Sequence, residues 1–484
     1  MGMGTGGDDG RGWRETLIEF RPMLSRVCAL LVLSGALLSA WQPDRRPISL
    51  VVAGGAVVTM DASGRILDPG AVAIEGRDII AVDTPEAIAA RYAPKETINA
   101  SGQVVLPGLI NTHTHAPMVL YRGLADDLAL MEWLQKYIFP AEAKTVSPEF
   151  VRAGTRLAVL EMIQSGTTAY ADMYYFEEEI AKATKEAGIR GVLGQTIIEF
   201  PVPDAKTPTE SIARATEFIR QWSNDELIVP AIAPHSMYTL DTATLKAIRA
   251  VADRERAPVI THLAETRDEI KIGRDRYKLT PTQFLESIGF WGPRTIAAHA
   301  VWLTPADIRV LARRHVGVAH NPESNMKLAS GTAPVLELRK AGVAVGLGTD
   351  GAASNNDLDM FEAMRLAGFL HKLQANDPRA LPAADVLKMA TIEGARALGM
   401  EREIGSLEPG KRADLIVVSM ASARQTPMYS PVSHLVYVTR GDDVRTTIAN
   451  GKVLMRDRKM LTLNESAVLE EARGWAVKIR EAVR

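Results

Sequence analysis

Apolar residues fall into two textures along the chain. Between residues 48 and 97 they form short β-like runs, Leu50-Val51-Val52, Ala56-Val57-Val58-Thr59, Ala71-Val72-Ala73-Ile74 and Asp78-Ile79-Ile80-Ala81-Val82. Gly54-Gly55, Gly64, Pro69-Gly70 and Glu75-Gly76 punctuate these runs as turn residues. The same texture returns late, at residues 413–418, 435–438 and 446–454. Two β-rich ends around a long middle predict one small β-sandwich assembled from both termini. Residues 465–484 are rich in Ala, Glu, Val and Arg, which predicts a closing helix with Asn464 as its N-cap.

The middle alternates strand and helix. Eight apolar, β-leaning runs cover residues 104–115, 167–173, 191–198, 228–235, 258–265, 295–302, 317–321 and 343–350. Helix-like stretches lie between most of them, at residues 149–164, 176–187, 242–254, 304–314 and 333–341. Thr304-Pro305 opens one of these with a capping hydroxyl and a proline in the first turn. Eight β/α alternations predict an α/β protein with a (β/α)8 TIM barrel. The competing doubly wound sheet lacks support, because no GxGxxG turn follows the first strand. The expected organisation is a leader over 1–46, a composite sandwich over 47–104 and 405–463, a barrel over 105–404 and a terminal helix over 464–484.

Composition narrows the chemistry. Lysine and arginine total 56 against 58 acidic residues, a formal charge of −2, so nothing favours a nucleic-acid partner. The single cysteine, Cys28, lies in the leader, so a metal bound by the body must use His, Asp or Glu. The leader itself has Arg21 and Arg26, an apolar run over residues 27–38 and then Leu38-Ser39-Ala40. This resembles a secretory signal peptide, with export as the expectation and a cytoplasmic enzyme with a mis-assigned start as the alternative. Membrane contact is expected only through this leader, if it stays uncleaved. A homo-oligomer is left open.

Barrel strands converge at their carboxyl ends on one face, where the chemistry collects. Those ends carry His113 and His115, His235, His262 and Glu265, His299, His320 and Asp350. Six of nine histidines sit there; His315, His371 and His434 are expected to be structural or solvated. In a strand, His113 and His115 project to the same side and make half of a metal site. Each buried imidazole needs partners for both ring nitrogens, and three histidines with one aspartate around a divalent ion supply them while leaving a position for water. Such an ion brings the pKa of bound water toward neutrality. Glu265, just past His262, is placed to move a proton between water and a leaving nitrogen. Capping of the helix starting near Thr266 is its plain alternative role. His299 is expected to contact the hydroxide or substrate.

Pro107-Gly108-Leu109-Ile110-Asn111-Thr112-His113-Thr114-His115, His262-Leu263-Ala264-Glu265, Ala297-Ala298-His299, His320-Asn321-Pro322-Glu323-Ser324-Asn325 and Gly348-Thr349-Asp350-Gly351 together resemble the amidohydrolase superfamily. Within it they are most similar to the 5-methylthioadenosine/S-adenosylhomocysteine deaminase group, as is Gly405-Ser406-Leu407-Glu408-Pro409-Gly410. The resemblance implies one zinc, with iron as the alternative, held by His113, His115, His262 and Asp350. It implies Glu265 as proton shuttle, His299 orienting the hydroxide, and Asp350 doubling as base. Strand four ends in Pro234-His235-Ser236 without a bridging lysine, so one metal is expected. The implied substrate is a small purine nucleoside, with Trp133, Glu142 and His235 binding it alongside Glu265 and Glu142 taking the ribose hydroxyls. Guanine deamination, triazine dechlorination and a non-catalytic scaffold are the rival readings. Residues 201–208 depart from the group's pattern, and no arginine for a homocysteine carboxylate can be placed.

Overall fold

The computed structural model describes residues 45–483 apart from Pro293, so the signal-like segment lies outside the described residues. Among the described residues no helix is long and apolar enough to cross a membrane. Pro47–Arg484 forms one compact unit.

Eight parallel strands follow one another in chain order around the barrel. They are β1 (Leu109–Thr114), β2 (Thr167–Tyr174), β3 (Arg190–Ile197), β4 (Ile228–Pro234), β5 (Val259–Leu263), β6 (Thr295–His299), β7 (Gly317–His320) and β8 (Val345–Leu347). Every residue of β1, β2 and β3 is buried, as expected where helices cover one face and the barrel interior the other. Ile110, Ala169, Ala171, Val192, Ala231, Ile260 and Ala298 belong to one interior cluster, small side chains alternating with branched ones. The eighth strand returns to the first at the carboxyl end. There Asp350 N–H donates to the His113 carbonyl at 2.9 Å, and Thr112 Oγ1 donates to the Leu347 carbonyl at 2.8 Å.

The β-rich ends meet in a nine-stranded mixed sheet, the accessory β-sandwich. Its central strand, Gln103–Pro107, runs parallel to Arg46–Val58 and antiparallel to Leu415–Ser419. The apolar run over residues 104–115 is therefore two strands in two sheets, joined at Gly108. A Cβ at Gly108 would collide with the Thr168 side chain, so only glycine lets the chain cross from sheet to barrel this close to β2. Asn450 and Gly451, both with positive φ (49° and 74°), turn the late hairpin between Val444–Ala449 and Lys452–Arg456. Residues 435–438 do not form the expected strand. They fall in and just after the helix Pro431–Tyr437, because Ser430 caps the Ser433 N–H and Pro431 fixes the first turn. The closing helix is Glu465–Val483, with Asn464 Oδ1 accepting from the Ala467 N–H.

Arg190, at the start of β3, and Asp414 of the sandwich form an ion pair at 3.2 Å, both side chains only 2% exposed. The Asp414 carboxylate also accepts the Asn450 N–H at 2.6 Å. Asp414→Ala would leave a buried guanidinium without its counter-charge. A loss of about 3–5 kcal/mol is expected in urea unfolding, and a change below about 1 kcal/mol would remove this pair from the fold's supports.

Candidate active site

At the carboxyl ends of β1, β5, β6 and β8, four imidazoles and two carboxylates surround one point. His113 and His115 leave β1 on the same side, with ring centroids 4.9 Å apart; His262 lies 5.1 Å from His113 and 5.4 Å from His115. Two of the rings have their tautomers set from behind. His115 Nδ1–H donates to the Met173 carbonyl at 2.7 Å, and His262 Nδ1–H donates to the His235 carbonyl at 2.8 Å. Their bare Nε2 atoms then face each other at 3.3 Å. Two lone pairs at that distance repel unless a cation lies between them.

The remaining distances fit the same demand. Asp350 Oδ1 lies 3.6 Å from His113 Nε2 and 3.4 Å from His115 Nε2. Bonds of about 2.0–2.1 Å around a tetrahedral zinc put neighbouring ligand atoms about 3.3–3.4 Å apart, so these spacings match a coordination shell. His113 is fully buried, and neither ring nitrogen has a hydrogen-bond partner. A buried imidazole with both nitrogens orphaned is costly in an ordinary core, and a metal bond removes that cost at one of them. Burial holds His113 and His262 well below the usual imidazole range despite Asp350 beside His113, so both stay neutral and able to ligate.

Asp350 is held ionised. Burial alone would raise its pKa, but His299, the imidazole here whose own pKa is raised, and the Ser324 hydroxyl, donating at 2.7 Å, bring it below the ordinary carboxylate range. Its φ of +65° is left-handed, as are those of Ala264 (+50°), His299 (+73°) and Ala300 (+51°). Such backbone strain gathers at sites that aim side chains.

His299 and Glu265 border this shell, with the His299 ring 5.4 Å from that of His113 and 5.5 Å from that of His262. His299 Nε2 is 3.8 Å from Glu265 Oε2 and 3.9 Å from Asp350 Oδ2. Its Nδ1–H donates to Asn325 Oδ1 at 2.9 Å, so Nε2 points at the carboxylates. Burial raises the Glu265 pKa, with His299 opposing and Asp350 reinforcing the shift. Capping falls to another residue: Glu269 Oε2 accepts the Glu265 N–H at 3.0 Å, and Thr266 caps the helix Arg267–Tyr277. Glu265 keeps its side chain for the cavity that His115, His235, His262, His299 and Asp350 line.

Trp133, Glu142 and His235 line that cavity too. Glu142 accepts the Tyr174 hydroxyl at 2.7 Å and burial pushes its pKa up to about 7. His235 is lowered to about 3, chiefly by burial. His320 does not join the group. Its Nε2 lies 3.1 Å from His371 Nε2, making a buried pair with the helix Met360–Ala375. His315 ends its helix in a left-handed turn, and His434 Nδ1 is 2.9 Å from Gln425 Oε1. The strand-end rule, carried through to β2 and β3, would also have pointed to Tyr174 and Thr196, which line the cavity with Tyr175, Tyr238 and Ser354. Asn325 and Ser324 sit in the Asn-Pro-Glu-Ser-Asn motif, whose spacing alone does not reveal that they hold His299 and Asp350.

The family model described as the amidohydrolase family matches residues 104–454. The chain belongs to the amidohydrolase family. It is 49% identical over 432 residues to a 5-methylthioadenosine/S-adenosylhomocysteine deaminase of Syntrophobacter fumaroxidans, covering 89% of this chain and 98% of that one. A 5′-deoxyadenosine deaminase of Methanosarcina mazei is 44% identical over 432 residues, with 89% and 98% covered. The fold superposes on a zinc-bound adenosine deaminase of Xanthomonas campestris with a TM-score of 0.89 at 41% identity, over 90% of this chain and 100% of that one. As an amidohydrolase this chain is a metal-dependent hydrolase, and the grouped side chains of His113, His115, His262, His299 and Asp350 are consistent with a site for zinc.

Proposed function

We propose that this amidohydrolase removes the 6-amino group of adenosine-type nucleosides, of the 5′-modified kind named in its relatives, and releases ammonia. What carries the reading is Glu265 and His299 beside the His113, His115, His262 and Asp350 side chains in one cavity that Trp133 and Glu142 also line. His113, His115, His262 and Asp350 would hold the ion. When bound, a zinc ion there supplies a Lewis acid that lowers the pKa of water.

The side chains account for the proton traffic. Asp350 accepts a proton from the attacking water as oxygen bonds to C6 of the purine. Glu265, whose pKa burial raises, gives a proton to the ring nitrogen beside C6. His299, whose pKa is raised by Glu265 and Asp350 against the effect of burial, steadies the oxygen. The proton taken from water then passes to the amino group, the C–N bond breaks as the C6 hydroxyl becomes a carbonyl and returns its proton to Glu265, and ammonia departs.

Two outcomes test this reading. Dialysis against a chelator is expected to abolish ammonia release, and one equivalent of zinc to restore it together with a raised Tm. Copurification of no metal, with activity unaffected by the chelator, would sink the proposal. For substrate binding, Glu142 must be ionised to accept two ribose hydroxyls. Burial pushes its pKa up to about 7 in the fold from the ordinary glutamate value of 4.5. Across that window the folded chain keeps a proton the unfolded chain has lost, so this group's contribution to stability falls as pH rises. Binding runs the other way, and KM is expected to fall between pH 6 and pH 8. Glu142→Gln should raise KM about 10- to 100-fold and flatten that dependence; an unchanged KM–pH curve in the variant would take Glu142 out of the ribose site.

A further inference from the structure

The segment after β1 lines the cavity in a regular way. It runs as the helix Leu130–Trp133, the π turn Leu134–Ile138 and the helix Phe139–Thr145. Leu130, Leu134, Ile138 and Glu142 recur every fourth residue, and all four line the cavity, as do Trp133 and Phe139. The helix that presents Glu142 thus presents an apolar wall beside it, since residues four apart share a face. The charged groups lining the same cavity are the carboxylates Glu142, Glu265 and Asp350 and the imidazoles; among the described residues no lysine or arginine lines it.

Resting on the deaminase reading above, we propose that Leu130, Leu134, Ile138 and Phe139 select adenosines whose 5′ position carries an uncharged, apolar substituent, and disfavour those whose 5′ arm ends in an amino-acid zwitterion. With the ribose hydroxyls at Glu142, the 5′ carbon meets the turn of helix that precedes it. A methyl or methylthio group there leaves water for contact with Ile138 and Leu134 and gains by burial. A 5′ hydroxyl loses a hydrogen bond on entering the same wall. A carboxylate would shed its water near Glu142 with no lysine or arginine in the lining to receive it. Arg276 lines a neighbouring groove, which shares Leu134, Phe139 and Tyr238 with the cavity. There its Nη1 donates to the Tyr238 carbonyl at 3.4 Å, and Glu199 and Asp241 line the same groove.

The test is ammonia release by the zinc-loaded full chain from four nucleosides. They are 5′-methylthioadenosine, 5′-deoxyadenosine, adenosine and S-adenosylhomocysteine. The first two are expected to exceed adenosine in kcat/KM by about tenfold and S-adenosylhomocysteine by about a hundredfold. Leu134→Asn and Ile138→Asn, checked for folding by thermal melting, should move the ratio of 5′-methylthioadenosine to S-adenosylhomocysteine toward one. Equal kcat/KM on those two substrates in the unaltered protein overturns the selection. So does S-adenosylhomocysteine activity that Arg276→Ala removes, because the amino-acid arm would then reach the outer groove. If none of the four is deaminated, the deaminase reading itself falls, an outcome distinct from adenosines being deaminated without preference.

Discussion

Glu265→Gln is expected to lower kcat by about 10³-fold, within the range general acid–base groups supply, while the protein keeps one metal ion per chain. The two effects separate because Glu265 is not among the grouped ligand side chains; its Oε2 lies 3.8 Å from His299 Nε2. Glutamine fills the same volume and can still donate through its amide, but it has no proton to give up and none to take back. The local backbone should not notice, since Glu269 and Thr266 cap the following helix without the Glu265 side chain. KM should change little if Glu265 works mainly in the transition state, and kcat and kcat/KM should fall together. Metal content by atomic emission, a Tm within a few degrees of the parent and steady-state rates would settle the matter. Full turnover in the variant would remove Glu265 from the chemistry, and loss of metal would recast it as a ligand.

Most of this site was legible because barrel topology turns a one-dimensional pattern into a place. Once eight strands are counted, a residue at a strand's carboxyl end has an address, and His113, His115, His262, His299 and Asp350 share one. The same logic overreached at His320. That side chain is also at a strand end, but it turns to His371, a residue 51 positions later whose helix packs there only in three dimensions. The run over residues 104–115 misled for a related reason. Its hydrophobicity is continuous across Gly108, and the hand-over between sheets is dictated by the close approach of Thr168, which the local pattern does not encode. Residues 435–438 carry strand-like side chains on a helix whose start is fixed upstream by Ser430 and Pro431. Cap chemistry there outweighs β propensity, which reflects packing context more than backbone preference. The residues behind the site, Ser324 and Asn325, were visible only as a motif. Their work is hydrogen bonding to Asp350 and His299, and that depends on how the short helix Pro322–Lys327 is seated.

Asp350→Asn carries the second large effect, and here activity and metal should be lost together. Asparagine tolerates left-handed backbone better than most residues, so the φ of +65° is kept. The barrel's closing bond, Asp350 N–H to the His113 carbonyl, does not involve the side chain. What disappears is the negative charge. Three neutral imidazoles and an amide would face a divalent ion with nothing to balance it, and affinity should fall at least about 100-fold, beyond the 10–100-fold that losing an outer hydrogen-bond partner costs. The base that takes the water proton goes with it, so kcat should fall by at least about 10³-fold even at saturating zinc. Competition against a zinc-binding dye reads the first effect, and rates across a zinc titration read the second. The metal-free proteins add a check on sign. Because the folded chain holds Asp350 below its ordinary pKa, the aspartate stabilises the fold above about pH 4 and loses that contribution as the solution is acidified. The asparagine variant has no such group, so the stability difference between the two should narrow at low pH. A variant that binds zinc as tightly as its parent would show that the three histidines suffice to hold the ion. Recovery of turnover at high zinc would assign Asp350 to binding alone and leave Glu265 as the sole carrier of the proton.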